Sequence, residues 1–216
     1  MKPGSVGPPK LYLGAKVSKI QLPSGVEAYA VSTSHYVQEA VKNVERRLTA
    51  KGMRLNRGGT APLSPGYCPE LDSSPELETQ DASYYQSLIG ILRWMIEMGR
   101  IDITCEVSMM SLFVAMPHEG HLQQLLHMFA YLNSHHNALI LFNPSYLDID
   151  SDQFPRREWR SLYDEELKEY IPSDAPEPLG MEFILRTYVD TDHDGDRLTR
   201  RSQSGMLLFV NSAPIY

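Results

Sequence analysis

Tyr188-Val189-Asp190-Thr191-Asp192-His193-Asp194-Gly195-Asp196 ends an apolar segment, residues 183–189, in four acidic residues at alternate positions. Arg200-Arg201-Ser202-Gln203-Ser204-Gly205 follows, then a second apolar run over 206–210, a turn at Asn211-Ser212, and Ala213-Pro214-Ile215-Tyr216. Short apolar runs bounded by turn residues predict a strand, an acidic turn, a second strand and the opening of a third. A carboxylate at the end of an ordered strand is a place to hold a divalent metal. Two other readings of the same residues stay open beside that one. Asp190, Asp192, Asp194, Gly195 and Asp196 fit the first half of an EF-hand calcium loop, although position 12 is Arg201 where a bidentate Glu belongs and the flanks read as strands. The plainest reading is a solvated acidic turn.

The same residues resemble the opening of the ribonuclease H domain in copia-type retrotransposon polyproteins. That family reads approximately Y-x-D-x-D-x-A-G-D, R-R-S-x-S-G, an apolar strand and A-P-I, with Asp194 here standing where the family usually has Ala. Upstream, Tyr84-Tyr85-Gln86-Ser87-Leu88-Ile89-Gly90-Ile91-Leu92-Arg93-Trp94 resembles another family segment. Arg100-Ile101-Asp102-Ile103, Leu132-Asn133-Ser134-His135-His136 and Tyr12-Leu13-Gly14 match as well. The resemblance implies an α+β chain in three parts. Residues 1–136 would be the end of the reverse transcriptase palm, the thumb and the connection, built as a β-hairpin and a small helical bundle. Residues 137–180 would be a Pro-rich linker with a short helix, and 181–216 the first strands of an incomplete ribonuclease H-like fold.

Ribonuclease H chemistry uses two metal ions, here Mg²⁺, held by converging carboxylates; one activates the attacking water and the other stabilises the leaving oxygen. The resemblance makes Asp190 the first carboxylate of that cluster; Asp192 and Asp194, by their place on the same turn, add local oxygen donors, but three carboxylates on one turn do not replace a site assembled from separate elements. The family completes the cluster with a Glu on the next helix and further Asp residues, which the sequence to Tyr216 does not contain. Its polymerase site uses a Tyr-x-Asp-Asp motif, also absent from the sequence. The expectation is a chain that lacks both activities by itself and binds no cofactor alone, with Met1 either a true start or an internal methionine of a longer frame. A noncatalytic, domesticated fragment acting through protein contacts is the competing class, and a small calcium-binding protein the third.

Composition sets outer bounds. An apolar share of 42% over 216 residues can supply a core. The net charge of −7 argues against a dedicated nucleic-acid binder, but the sign reverses locally. Over 42–57 the chain carries Lys42, Arg46, Arg47, Lys51, Arg54 and Arg57 against Glu45 alone. Lys42, Arg46, Arg47 and Lys51 lie on a predicted helix, residues 34–51. They either track phosphates of an RNA-DNA hybrid or template-primer duplex, without reading sequence, or form an ordinary solvated face. The partners implied by the resemblance are that nucleic acid and the rest of the polyprotein, with no membrane. Cys68 and Cys105 do not make a disulfide framework and point to a reducing compartment. Residues 1–10 have no apolar h-region, so secretion is not expected. The resemblance places the chain in a cytoplasmic virus-like particle with access to the nucleus.

Between these ends, residues 11–17 and 26–31 predict a hairpin about Pro23-Ser24-Gly25. Residues 58–80, with four prolines and no basic residue after Gly58, predict an extended connector. Apolar stripes predict helices over 81–98, with Asp81 as N-cap and Gly90 allowing a close helix contact, then over 102–115 with Asp102 as cap, and from Pro117 onward. Trp159, Leu162, Tyr163, Leu167 and Tyr170 predict a short amphipathic helix. Five of the seven histidines fall within 118–136, and His118 and His121 have the spacing to share a metal on one helix face, against the reading of solvated face histidines.

Overall fold

The computed structural model describes residues 7–56, 59–146, 172–176, 183–193 and 195–215. The predicted helix from Trp159 to Tyr170, Arg57, Asp194 and the boundary at Gly180 lie outside them.

The turn at Pro23-Ser24-Gly25 folds β2 (Ala15–Gln21) onto β3 (Glu27–Ser32), in register from Gln21↔Glu27 to Lys16↔Ser32. A two-residue β1 (Leu11–Tyr12) lies on the outer side of β2. On the other side β3 takes up β4 (Leu139–Phe142), antiparallel, to give the order β1-β2-β3-β4. The sequence reading assigned no strand to Leu139–Phe142.

Helix α1 (Ser34–Ala50) buries Val37, Ala40, Val41, Val44 and Leu48, the stripe its 3.6-residue period predicts. Helix α2 (Thr79–Glu97) buries Tyr85, Leu88, Ile89, Leu92 and Met95. It starts two residues before Asp81, with Glu78 at the N-cap position. Asp81 is therefore not a cap: its carboxylate is drawn sideways by cations of α1. Gly90 is exposed, and a Cβ there would meet nothing within 4 Å, so it allows no close contact either. A single 3₁₀ turn at Ile101–Ile103 leads into α3 (Thr104–Ser111), shorter than the predicted 102–115. Helix α4 (Glu119–Ser134) has His118, not Pro117, at its entry. One core joins α1, α2, α3 and α4, from Val37 through Tyr85, Met110 and Phe129 to Leu132. Inside it the Tyr85 hydroxyl donates to the Met110 carbonyl at 2.7 Å, which lets a phenol be fully buried.

The predicted connector is packed rather than simply extended. It contains a 3₁₀ turn at Pro69–Leu71, and its last two residues belong to α2. It also supplies acceptors that the first turn of a helix lacks. Gly120 N–H donates to Ser74 Oγ at 2.8 Å, and Glu119 N–H to the Pro75 carbonyl at 2.9 Å. The Asp72 carboxylate lies where a Cβ on residue 120 would sit, so any larger residue there would have to displace it from its bonds to Ser74 and Tyr67.

The acidic turn does join strands. β5 (Leu185–Thr191) pairs antiparallel with β6 (Ser204–Val210), from Leu185↔Val210 to Thr191↔Ser204, and β7 (Ala213–Pro214) adds to β6. This second sheet touches the first part through few bonds. Asn211 Nδ2 donates to the Pro144 carbonyl at 3.2 Å, Ser212 Oγ to Ser145 O at 2.8 Å, and Arg197 N–H to Glu70 Oε1 at 3.2 Å. The molecule is α+β, with two small antiparallel sheets and four α-helices among the described residues. No described helix is long and apolar enough to cross a membrane.

Candidate functional site

Asp190 lies on β5 directly opposite Gly205, exposed, and its carboxylate has no hydrogen bond or ion pair among the described residues. Asp192 behaves differently. Its Oδ1 accepts the Gln203 N–H, and the carboxylate occupies the place a Cβ on residue 195 would need, which explains Gly195. Asp196 Oδ1 accepts from Leu198 N–H at 2.9 Å and Thr199 N–H at 2.8 Å. The Thr199 N–H and hydroxyl, then the Leu198 N–H, hold its carboxyl below the usual range. Two of the acidic residues thus serve their own turn, as short polar side chains commonly do.

Among the described residues no three His, Cys, Asp or Glu side chains stand close enough to share a metal. Within the described part of the turn Asp190 offers free oxygens alone, and Asp192 is turned to its own loop, so the turn by itself supplies one open carboxylate of the several that a two-metal site needs. The EF-hand alternative fails on geometry, because strands β5 and β6 stand where two helices are required.

The histidine pair is no metal site either. His121 is buried, and both ring nitrogens are taken: Nδ1 accepts the His118 N–H at 2.9 Å and Nε2–H donates to the Pro69 carbonyl at 3.0 Å. Burial pushes its pKa down, and against that work the Pro69 bond and the charge of Asp72. The ring lies 4.4 Å from Phe113, centroid to centroid. It is neither a ligand nor a solvated face histidine, but the link between the connector and the start of α4.

The four cations of α1 divide into two pairs. At about 100° per residue, Lys42 and Arg46 share one side of the helix and Arg47 and Lys51 another. Arg47 donates to Asp81 at 2.9 Å, and Lys51 donates to both Asp81 oxygens at 2.9 and 3.0 Å. The Lys51 bond, with Arg47 behind it, lowers the Asp81 pKa against the opposing effect of burial. Arg47 also stacks over Tyr84 at 3.8 Å. Lys42 holds only Glu39, at 2.8 Å on the same face, and Arg46 has no hydrogen bond or ion pair among the described residues. Arg47 and Lys51 tie α1 to α2, which leaves Lys42 and Arg46 as the cations facing outward.

One feature joins two segments that the resemblance quoted without giving them a role. Arg100 is buried, and its Nε and Nη2 donate to the two Asp102 oxygens at 2.8 and 2.6 Å, while Tyr131 donates to Asp102 at 3.1 Å. Burial raises the Asp102 pKa, but the Arg100 bonds and charge outweigh it and the net shift is downward. Beside this group a cleft of about 540 Å³ is lined by Asp102, Tyr131, His135, Asn137, Ile140 and Ser212. A carboxylate held ionised by an arginine is a weak base, so the cleft suits binding better than proton transfer. In the sequence Asp102 stood as a helix cap and, with Arg100, in a segment that matches the family; its pairing with the residue two before it is visible once the 3₁₀ turn is known.

Comparison with protein-family models, with curated proteins and with solved structures gave no match.

Proposed function

We propose that this chain is part of a copia-type retrotransposon reverse transcriptase and ribonuclease H, comprising the thumb and connection and the first strands of the ribonuclease H sheet. The observation that supports it is a coincidence of motif and register. Asp190 and Gly205, from the two most specific motif segments, face each other across β5 and β6, and Ala213-Pro214 opens the third strand. In the complete parent, Mg²⁺ would supply water activation and leaving-group stabilisation, with Asp190 as one ligand. By itself the chain performs neither RNA-directed DNA synthesis nor hybrid cleavage, and its role is to hold a template-primer or RNA-DNA hybrid through the outward cations of α1. The rest of the polyprotein is its other partner, in a cytoplasmic virus-like particle.

The test uses a primed RNA template with dNTPs and Mg²⁺, and separately an RNA-DNA hybrid. The expected result is hybrid binding that weakens with salt and ignores sequence, with no extension and no cleavage. Metal-dependent extension or cleavage by the chain alone would defeat the noncatalytic part of the reading. Absence of hybrid binding at low salt would defeat the nucleic-acid part. In the longer frame that the proposal implies, Asp190→Asn abolishes hybrid cleavage, whereas Asp194→Asn, at a position where the family carries Ala, costs little.

A further inference from the structure

Arg46-Arg47-Leu48-Thr49 is a pattern that occurs once in the sequence: Thr49 is the one serine or threonine with arginines both three and two positions before it. Thr49 is exposed in the last turn of α1, and its hydroxyl donates to the Glu45 carbonyl at 2.8 Å. Gly52, at φ +72°, turns the chain out of the helix directly after it. At about 100° per residue, Thr49 lies within about 20° of Lys42 around the helix axis and one turn beyond Arg46. It therefore shares the outward side with those two cations and lies away from Arg47 and Lys51.

We propose that Thr49 is a phosphorylation site for an arginine-directed protein kinase, and that the phosphate switches off nucleic-acid binding by α1. The switch rests on the reading that Lys42 and Arg46 hold the hybrid. In the transfer, the Thr49 oxygen attacks the γ-phosphorus of the kinase's Mg²⁺-ATP. The bond from that phosphorus to the β-phosphate oxygen breaks, ADP leaves, and the hydroxyl proton passes to the kinase's base. Two forked guanidiniums before the acceptor suit a kinase whose peptide cleft is lined with carboxylates. Arg46 is exposed and has no hydrogen bond or ion pair among the described residues. Arg47 is held by Asp81 and Tyr84 while the helix is closed. Fraying of the last turn, which helix ends undergo, releases Arg47 and the Thr49 hydroxyl together. Residues 47–50 give the buried cluster one side chain, Leu48, so this opening leaves the rest of the α1 stripe in place.

The effect of the phosphate follows from the charges around it. The outward side of α1 carries Lys42 and Arg46 flanked by the exposed Glu39 and Glu45, and Lys42 already bonds Glu39 at 2.8 Å. A phosphothreonine adds about −1.5 to −2 charge there. It takes Arg46, three residues back, as its own counter-ion. What remains on that side is an acidic excess, which repels the backbone phosphates of a hybrid. The new charge also opposes the negative end of the helix dipole, which loosens the last turn and leaves the bundle folded.

The test treats the full chain with Mg²⁺-ATP and the catalytic subunit of cyclic-AMP-dependent protein kinase, an arginine-directed probe. Peptide mapping by mass spectrometry should find phosphate on Thr49. Thr49→Ala should take up none there, and Arg46→Ala should slow incorporation by at least about tenfold. Fluorescence anisotropy should show the phosphorylated chain binding an RNA-DNA hybrid with a Kd raised by at least about tenfold at 0.1 M salt and a flatter salt slope. Kinase-treated Thr49→Ala should bind like the unmodified chain, and circular dichroism of the phosphorylated chain should keep its helical signal. A folded chain that takes no phosphate at Thr49 overturns the proposal. So does a phosphorylated chain that binds the hybrid unchanged, or one that loses binding only because its helices are lost. If the unmodified chain fails to bind the hybrid at low salt, the functional reading falls and the switch falls with it, whereas the mass measurement alone decides the phosphorylation site.

Discussion

His121 does its work with both ring nitrogens at once, and this makes it the residue where pH meets stability. The neutral ring accepts from His118 N–H and donates to Pro69 O; a second proton on Nδ1 would abolish the first bond. Its folded pKa lies below the ordinary 6.5, chiefly because of burial. The unfolded chain therefore takes up the proton first, and stability falls as pH drops below about 6.5, by at most ~1.4 kcal/mol per pH unit from this group. Denaturant unfolding between about pH 7 and 4.5 checks the slope, and His121→Leu should remove that part of it while costing about 2 kcal/mol at neutral pH. The charge of His118, whose ring lies 5.3 Å from that of His121, adds to the lowering. Burial raises Asp72, but its bonds from Ser74 and Tyr67 prevail and lower it, so its contribution is lost only below the usual carboxylate range. Burial raises Tyr67 and Tyr85. None of this was legible in the spacing of His118 and His121, because the acceptor and donor that occupy the ring come from main chain, one of them in the connector. Gly90 is the converse case, a residue whose sequence reading was too generous. With open space where its Cβ would go, Gly90→Ala should stabilise the chain by about 0.5–1 kcal/mol in thermal unfolding, as for any exposed mid-helix glycine.

At the scale of elements, periodicity carried the reading where burial is one-sided and failed where the deciding partner is distant. The stripes of α1 and α2 were legible because a 3.6-residue period is a local property. Strand β4, four residues of Leu-Ile-Leu-Phe, has no usable period, and only its pairing with β3 from more than a hundred residues earlier makes it a strand. The start of α2 was misplaced because Asp81 looks like a cap, whereas its carboxylate serves Arg47 and Lys51. The same fact divides the basic face of α1 into two functions and yields a paired prediction. Lys42→Glu with Arg46→Glu should weaken binding to an RNA-DNA hybrid and flatten the log–log salt slope by about 2, with unfolding unchanged, since each lost phosphate contact removes about 0.9 from the slope. Arg47→Glu should instead lower stability by about 1 kcal/mol, because it sets a carboxylate beside Asp81 and removes the stack on Tyr84; the pair is about a third exposed, which limits the cost. Fluorescence anisotropy over a salt series, beside chemical unfolding of each variant, separates the two. Equal loss of binding from both pairs would mean that the Asp81 contacts open when nucleic acid binds.

The whole molecule divides its apolar surface unevenly. Every side chain of the buried cluster belongs to residues 37–132, and none comes from β5, β6 or β7. Those strands leave Tyr188, Val189 and Met206 more than half exposed, so their sheet stands on its ladder bonds, a few cross-strand contacts and the tether at Asn211 and Ser212. The strand order of this part was legible from alternating turns and apolar runs, but the exposure of its described residues was not, since burial depends on what the rest of the chain places against them. A three-stranded antiparallel sheet without a buried face is marginal in water, whereas the helical core opens only with global unfolding. Hydrogen exchange should therefore find two stabilities. Amides of Tyr85–Met95 and Leu125–Leu132 should be protected at the level of global unfolding, and those of β5 and β6 should exchange faster by at least about a hundredfold, a gap of roughly 2.7 kcal/mol. One common protection level across both parts would instead make the tether at Asn211 and Ser212 strong enough to fold the chain as a single cooperative unit.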